Sequence, residues 1–329
     1  MITDRRTLPD LAGIVKRRAE NPRPMSAGQT DRDLAAAIGM PVVRQLTKSD
    51  SAPGGRSALR MSNLGACARK LAYRIAGTPE NGRELDARSA LTFSLGDMTE
   101  TLLLAALRDG LEAGMGPAGW AISDIQSVEG QRSVSLPLGP WEIPGHPDGV
   151  LTLDGHTEAV LEIKSSSSYG FSRADKALHE GREPWDPSES YWWQSQAYMH
   201  AVGVDWMGVL MLCKDSGALI SWWQQRDSSF GFMLEDHLRR TTEGPDHAPR
   251  VLADGSPLGP SEVTFYARNG SKGPDGRPKY LKGDPKPGAG KLPWQCAYCA
   301  YYRTCWGDDL EERVETDYRG RPSRGLYVR

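Results

Sequence analysis

The dipeptide Asp154-Gly155 lies between two apolar runs, Val150-Leu151-Thr152-Leu153 and Ala159 to Lys164. An Asp-Gly pair in that setting is a strong short-range signal for a tight β-hairpin. Pairing across the turn brings Asp148 near residues 162–164, although thirteen residues separate it from Glu162 in the chain. Strand side chains alternate between faces, so Glu162 and Lys164 project together while Leu161 and Ile163 point the other way. Two carboxylates and an amine thus converge on a strand that opens with the apolar residues Ala159-Val160-Leu161.

That set of groups suits phosphodiester hydrolysis. Carboxylates hold Mg²⁺ or Mn²⁺, the cation lowers the pKa of a water and offsets phosphate charge, and a lysine orients the nucleophile or stabilises the pentavalent state. The bare spacing D-x13-E-x-K arises often by chance. What singles it out is charge placed where a buried strand emerges. On the next expected helix, Tyr191, Gln194 and Tyr198 are spaced i, i+3 and i+7 and share a face. Gln194 and Tyr198 are candidates for positioning a phosphate or base. Tyr191 reads first as part of an aromatic packing stripe with Trp192 and Trp193, and only secondarily as a nucleic-acid contact.

The five cysteines divide unevenly. Cys296, Cys299 and Cys305 form C-x2-C-x5-C, Cys67 stands far upstream, and Cys213 ends an apolar strand as a buried structural thiol. No apolar h-region follows the N-terminus and no apolar run approaches bilayer length, so a cytoplasmic protein without membrane contact is expected. Thiols in that compartment stay reduced, which favours metal binding over disulfides. Four cysteines suit zinc or a [4Fe–4S] cluster, and spacing alone does not decide between them. Either would close a long loop and tie the two ends of the chain together.

A hydrophobic share of 39% among 329 residues supplies ample material for a core. The net charge of −2 does not mark a nucleic-acid binder, but the charge is uneven. Seven basic residues between Arg268 and Lys291, including Lys272, Lys279 and Lys282, face only Asp275 and Asp284. This basic stretch at 267–291 is a candidate phosphate contact, or else a solvated loop. Residues 1–58 read as a polar arm, with a short helix at Asp31 to Ile38. Helices are expected from Ser62 to Ile75, from about Asp86 to Arg108 with Leu95, Leu102, Leu103 and Leu107 on its buried face, from Ser188 to Val202, and from Phe230 to Thr242. Short strands are expected at Trp120-Ile122, Ser133-Leu136, Trp141-Ile143, Met207-Cys213 and Ala218-Gln224. Residues 244–291 read as loops, and 311–329 as a tail.

Taken together, these residues resemble the PD-(D/E)XK nuclease superfamily, in particular the RecB-like exonucleases that bear an iron–sulfur cluster. That branch includes CRISPR-associated Cas nucleases, phage relatives and the AddB nuclease domain. The likeness covers Ser62 to Trp306. It matches Asp148 to the second-motif Asp, Glu162 and Lys164 to E-x-K, and Gln194 and Tyr198 to Q-x-x-x-Y, with Tyr191 in a Y-x-x-Q arrangement. It implies an α/β restriction-endonuclease-like core at about 86–243 with a mixed central sheet, inside a nuclease domain at 59–310, and a cap in which Cys67 joins Cys296, Cys299 and Cys305 around [4Fe–4S]. It further implies a Mg²⁺- or Mn²⁺-dependent DNA exonuclease in recombination, repair or phage DNA processing, acting on linear or single-stranded ends, with a recombination or replication partner. An endonuclease on the same core and a non-catalytic DNA-binding accessory protein are the alternatives. The metal ligands implied are Asp148, Glu162 and the Ile163 carbonyl. Where the RecB-like pattern has a helical His, this chain has Gly96-Asp97-Met98-Thr99-Glu100, which makes Glu100 the candidate for the remaining ligand.

Overall fold

In the computed structural model the described residues are 5, 8–21, 59–81, 87–123, 126–127, 130–131, 133–258, 261–262, 266–272, 278–282, 290–316 and 322–328. They divide into two compact units, Met1–Gly65 with Leu85–Asp236, and Ala66–Glu84 with His237–Arg329. The sequence implied one domain over 59–310. The expected helix at Asp31 to Ile38 lies outside the described residues.

The first unit is built on a five-stranded mixed sheet. Its strands are β1 (Trp120–Ser123), β2 (Gly149–Leu153), β3 (His156–Ser166), β4 (Trp206–Cys213) and β5 (Leu219–Gln225), hydrogen-bonded in that order. Only β3 and β4 run parallel. Antiparallel neighbours need only short turns, whereas the parallel pair needs a long crossover. The crossover carries two helices, α4 (Ser168–His179) and α5 (Ser190–Val202). The β2–β3 turn is Asp154-Gly155, and both residues have positive φ (50° and 80°), the geometry of a type I′ hairpin.

One face of the sheet is covered by helix α1 (Leu11–Glu20) and the long helix α3 (Ala87–Glu112). Leu11, Ile14 and Val15 of α1 and Leu103, Leu107 and Leu111 of α3 pack there against Leu151, Leu161, Ile163 and Leu210. Helix α1 falls within the stretch expected to be a polar arm, which corrects that expectation. Asp10 caps it by accepting from the Gly13 N–H at 3.0 Å, and Trp223 Nε1 donates to the Pro9 carbonyl at 3.0 Å. The expected face of α3 is also corrected. Leu103 and Leu107 are buried, but Leu95 and Leu102 are exposed. At 3.6 residues per turn, Leu102 sits roughly 100° around the helix from Leu103, off the core side.

The opposite face of the sheet carries α5, in which Trp192 through Met199 are all buried. Gly203 stops the helix with φ of 79°. A hairpin of Val134–Leu138 with Trp141–Gly145 leads into the β2 strand. The chain enters this region through a 3₁₀ turn, Met61–Asn63. The expected continuous helix from Ser62 is therefore broken by Leu64-Gly65, and Cys67 caps the separate helix α2 (Ala68–Ile75) instead of lying within its first turns. Helix α6 (Phe230–Thr242) has the expected bounds.

The second unit contains a four-stranded antiparallel sheet whose two C-terminal strands are Leu310–Thr316 and Pro322–Val328. The expected tail at 311–329 is thus largely sheet. Tyr266–Lys272 and Pro278–Lys282 pair as antiparallel strands, which corrects the expected loop around Lys272, Lys279 and Lys282. Among the described residues no helix is long and apolar enough to cross a membrane.

Candidate functional site

Asp148, Glu162, Lys164, Gln194 and Tyr198 come together in the first unit. Gly149 pairs with Leu161, so the antiparallel register places Asp148 across from Glu162. The Asp148 carboxylate turns to its neighbour strand and accepts the Ile163 N–H at 2.7 Å. Leu161 and Ile163 enter the apolar core, and alternation leaves Glu162 and Lys164 on the side covered by α5.

Glu162 is only 2% exposed. Its Oε1 accepts from Lys164 Nζ and, at 3.1 Å, from Gln194 Nε2. The same amide donates to the Tyr198 hydroxyl at 3.1 Å, and Tyr198 in turn donates to the His146 carbonyl at 3.0 Å. A chain of hydrogen bonds therefore runs from the loop before β2, through two residues of α5, to one carboxylate oxygen. The other oxygen, Glu162 Oε2, is buried without a hydrogen-bond partner.

This bonding alters the part expected of Gln194 and Tyr198. Both side chains are buried and turned inward on Glu162 and His146, so their polar atoms are engaged within the protein. Tyr191 differs. It is 43% exposed, lies against Trp185, and has Lys164 Nζ 5.1 Å above its ring centre. The packing stripe is instead made by Trp192 and Trp193, whose rings meet each other and Phe230. Sequence reasoning missed Gly145 and Met61. A side chain at Gly145 would meet Met61 Sδ at 2.4 Å and Tyr198 Cε1 at 2.6 Å, so the Tyr198 ring needs glycine beside it. The Gly145-His146-Pro147-Asp148 segment carries that signal, but only the fold reveals the close approach.

The electrostatics follow from burial. Asp148 is pushed well above the usual carboxylate range, chiefly by desolvation and then by the charges of Glu162 and Glu100; Lys164 and the Ile163 N–H act against this. Burial disfavours the charged Lys164, but Glu162 and Asp148 outweigh it and hold the ammonium above the ordinary lysine range. Desolvation, followed by the Glu162 charge, raises the Tyr198 phenol. Glu100 therefore lies close enough to act on Asp148, from an α3 whose Gly96 faces Ser165 of β3.

Whether these residues suit a divalent cation is a matter of donor chemistry. Hard cations take carboxylate oxygens. Three carboxylates share this region, one oxygen is buried without a partner, and Asp148 is disfavoured as an anion by its surroundings. A dication would reverse each of these penalties, so the donor set fits. Among the described residues, however, no group of three or more His, Cys, Asp or Glu side chains is drawn up at metal-holding spacing.

In the second unit, Cys296 belongs to a small core with Leu258, Leu292, Tyr302 and Leu326, and Cys67 and Cys299 pack against it. Desolvation pushes the Cys296 thiol up to about 12, with Cys67, Cys299 and Cys305 adding to the effect. Arg250 Nε donates to Cys305 Sγ at 3.2 Å, and the Tyr301 N–H to Cys299 Sγ at 3.4 Å. Burial likewise raises the Cys67 and Cys299 thiols, and among the described residues these cysteines, like the carboxylates, are not drawn up as a metal-holding group. Cys213 stands apart, buried at the end of β4 with its sulfur 3.8 Å from the Ser168 hydroxyl. The side chains of Lys272, Lys279 and Lys282 lie outside the described residues.

No protein-family model matches the sequence. No curated protein matches it either. Among solved structures, the chain is similar to SSO0001 at 14% identity and a TM-score of 0.42, over 83% of this chain and 95% of that one. It is also similar to an alkaline exonuclease, LHK-Exo, from Laribacter hongkongensis, at 16% identity and a TM-score of 0.34, over 65% of this chain and 91% of that one. A complex of LHK-Exo with dAMP gives 15% identity and the same TM-score.

Proposed function

We propose that this chain is a Mg²⁺- or Mn²⁺-dependent deoxyribonuclease of the PD-(D/E)XK type, acting as an exonuclease on linear or single-stranded DNA ends. The observation that carries the reading is the network of the buried Asp148, Glu162, Gln194 and Tyr198 with the half-buried Lys164. Holding two buried carboxylates against a half-buried ammonium contributes little stability, because the desolvation of the charges offsets most of their attraction. Clusters of groups so perturbed are a mark of functional sites.

Asp148 and Glu162 would hold the cation, with Glu100 and the Ile163 carbonyl completing the set. The chemistry the cation supplies is a more acidic water and charge neutralisation on the phosphate. Lys164, held cationic by its two acidic neighbours, orients the attacking water and stabilises the charge that builds on the phosphoryl oxygens. Its proton stays on Nζ, since Glu162 and Asp148 both favour the charged form. Gln194 fixes the direction of the Glu162 carboxylate, and Tyr198 fixes Gln194 by its bond to His146. These two are positioning residues. The exposed Tyr191 ring beside Lys164 offers a surface to the substrate.

The four cysteines of the second unit are assigned, in the same reading, to a structural [4Fe–4S] cluster, with zinc as the alternative. Digestion of end-labelled linear DNA and of closed circular DNA, with Mg²⁺ or Mn²⁺, tests the activity. Progressive loss of the linear substrate with the circle intact is expected. Cutting of the circle would make the enzyme an endonuclease. A folded protein that binds DNA and cleaves neither would overturn the assignment.

A further inference from the structure

Lys164 is held by two different kinds of group. Glu162 Oε1 accepts from its Nζ, and the same nitrogen lies over the Tyr191 ring, 5.1 Å from the ring centre. That distance falls within the ~6 Å over which a cation is drawn to an aromatic face. Tyr191 belongs to the first turn of α5 and Lys164 to β3, so the contact joins the crossover helix to the sheet at the site itself.

The ring is braced from behind. Its centre is 5.2 Å from that of Trp185, and Trp185 meets Trp222 of β5 edge-on at 4.9 Å. Trp185 and Trp222 are buried, whereas Tyr191 is exposed. Two indoles, one from the α4–α5 connection and one from the edge of the sheet, thus support an exposed phenol beside the ammonium. Packing of α5 does not call for this ring, because Trp192 and Trp193 already fill that place against Phe230. All of these residues lie in the first unit.

A lysine head sits on a flexible four-carbon stem with three rotatable donors, so a single carboxylate fixes it poorly. In the nuclease reading Glu162 serves as a cation ligand as well, and that duty competes with the ammonium for its oxygens. A neutral ring is no ligand for a hard cation, and its hold on the ammonium escapes the competition.

We propose that Tyr191 is a positioning residue for Lys164, its ring, braced by Trp185 and Trp222, keeping the ammonium in place while Glu162 is engaged elsewhere. The catalytic consequence rests on the nuclease reading; the contact between the two side chains does not.

The test reads kcat and KM for end-labelled linear DNA at saturating Mg²⁺ in Tyr191→Leu and Tyr191→Phe, both at an exposed position. Tyr191→Leu removes the aromatic face and is expected to lower kcat by roughly threefold to tenfold. Tyr191→Phe keeps the face and is expected to recover most of that loss. A Tyr191→Leu kcat within twofold of the unaltered protein's overturns the proposal. So does a change confined to KM, the mark of a ring that only meets substrate, or an equal fall of kcat in both variants. A thermal-melting cycle of Tyr191→Leu, Lys164→Met and the double variant reads the contact without reference to cleavage. The two single-variant losses in Tm are expected to sum to roughly 1–4 °C more than the loss in the double variant. Additive losses overturn the proposal. Coupled losses in a protein that cleaves no DNA would count against the nuclease reading alone.

Discussion

Tyr198→Phe is the most informative single change, because it deletes one oxygen and keeps the ring. The ring is 3% exposed and packed on Gly145, so phenylalanine fills the same space. Two bonds are lost, the donation to the His146 carbonyl at 3.0 Å and the bond received from Gln194 at 3.1 Å. A neutral hydrogen bond contributes about 0.5–1.5 kcal/mol net, and a buried partner left unsatisfied costs about 1–3 kcal/mol. Gln194 keeps its bond to Glu162 but strands its other N–H, so a loss of about 2–3 kcal/mol is expected. For a unit of this size that lowers Tm by about 4–12 °C, at roughly 2–4 °C per kcal/mol. The effect on catalysis passes through Gln194 to Glu162. Removing a partner that orients a metal ligand typically costs about tenfold to a hundredfold in metal affinity or activity. Thermal melting and DNA digestion over a Mg²⁺ titration read both consequences. The expected outcome is a lower kcat and a higher Mg²⁺ requirement, with KM for DNA unchanged. A KM that rises while kcat and Tm hold would refute the reasoning, because it would place the hydroxyl on the substrate and not in the buried network.

Further outcomes follow from neighbouring residues. Asp148→Asn removes a buried charge disfavoured by its surroundings while keeping an acceptor for Ile163, so the metal-free protein should melt a few degrees higher while losing cleavage. Unchanged activity in this variant would remove Asp148 from the site. Gly145→Ala pushes a methyl group into Met61 and Tyr198, and a melting temperature equal to the parent's would contradict the close approach; a loss of about 1–3 kcal/mol is expected. Cys67→Ser, with iron and zinc content and the visible spectrum recorded after anaerobic purification, should abolish iron-dependent absorption. A colourless, zinc-containing parent protein would select the alternative metal.

The convergence of the candidate residues was largely legible in the sequence because it rests on local rules. Asp154-Gly155 set the hairpin register, strand alternation put Glu162 and Lys164 together, and helical spacing put Gln194 and Tyr198 on one side of α5. The inward direction of Gln194 and Tyr198 was not legible, since it depends on the His146 carbonyl and the space left by Gly145. Helix α1 carried its own signals, the cap Asp10 and an apolar stripe of Leu11, Ile14 and Val15, but its polar surroundings masked them. Helix α4 buries only Ala174 and Ala177, so its core-facing side offers almost no apolar contrast. In α3 the leucines outnumber the core positions. Periodicity then identifies the helix without saying which leucines it buries, and Leu95 and Leu102 fall on the exposed side.

The central claim is that Glu162 and Lys164 form part of a metal-dependent phosphodiesterase. Mg²⁺-dependent release of nucleotides from end-labelled linear DNA tests it directly, comparing the parent protein with Glu162→Gln and Lys164→Ala, each verified as folded. The account predicts release by the parent with Mg²⁺ or Mn²⁺, none after chelation, and none from either variant. Undiminished release by both variants would contradict it.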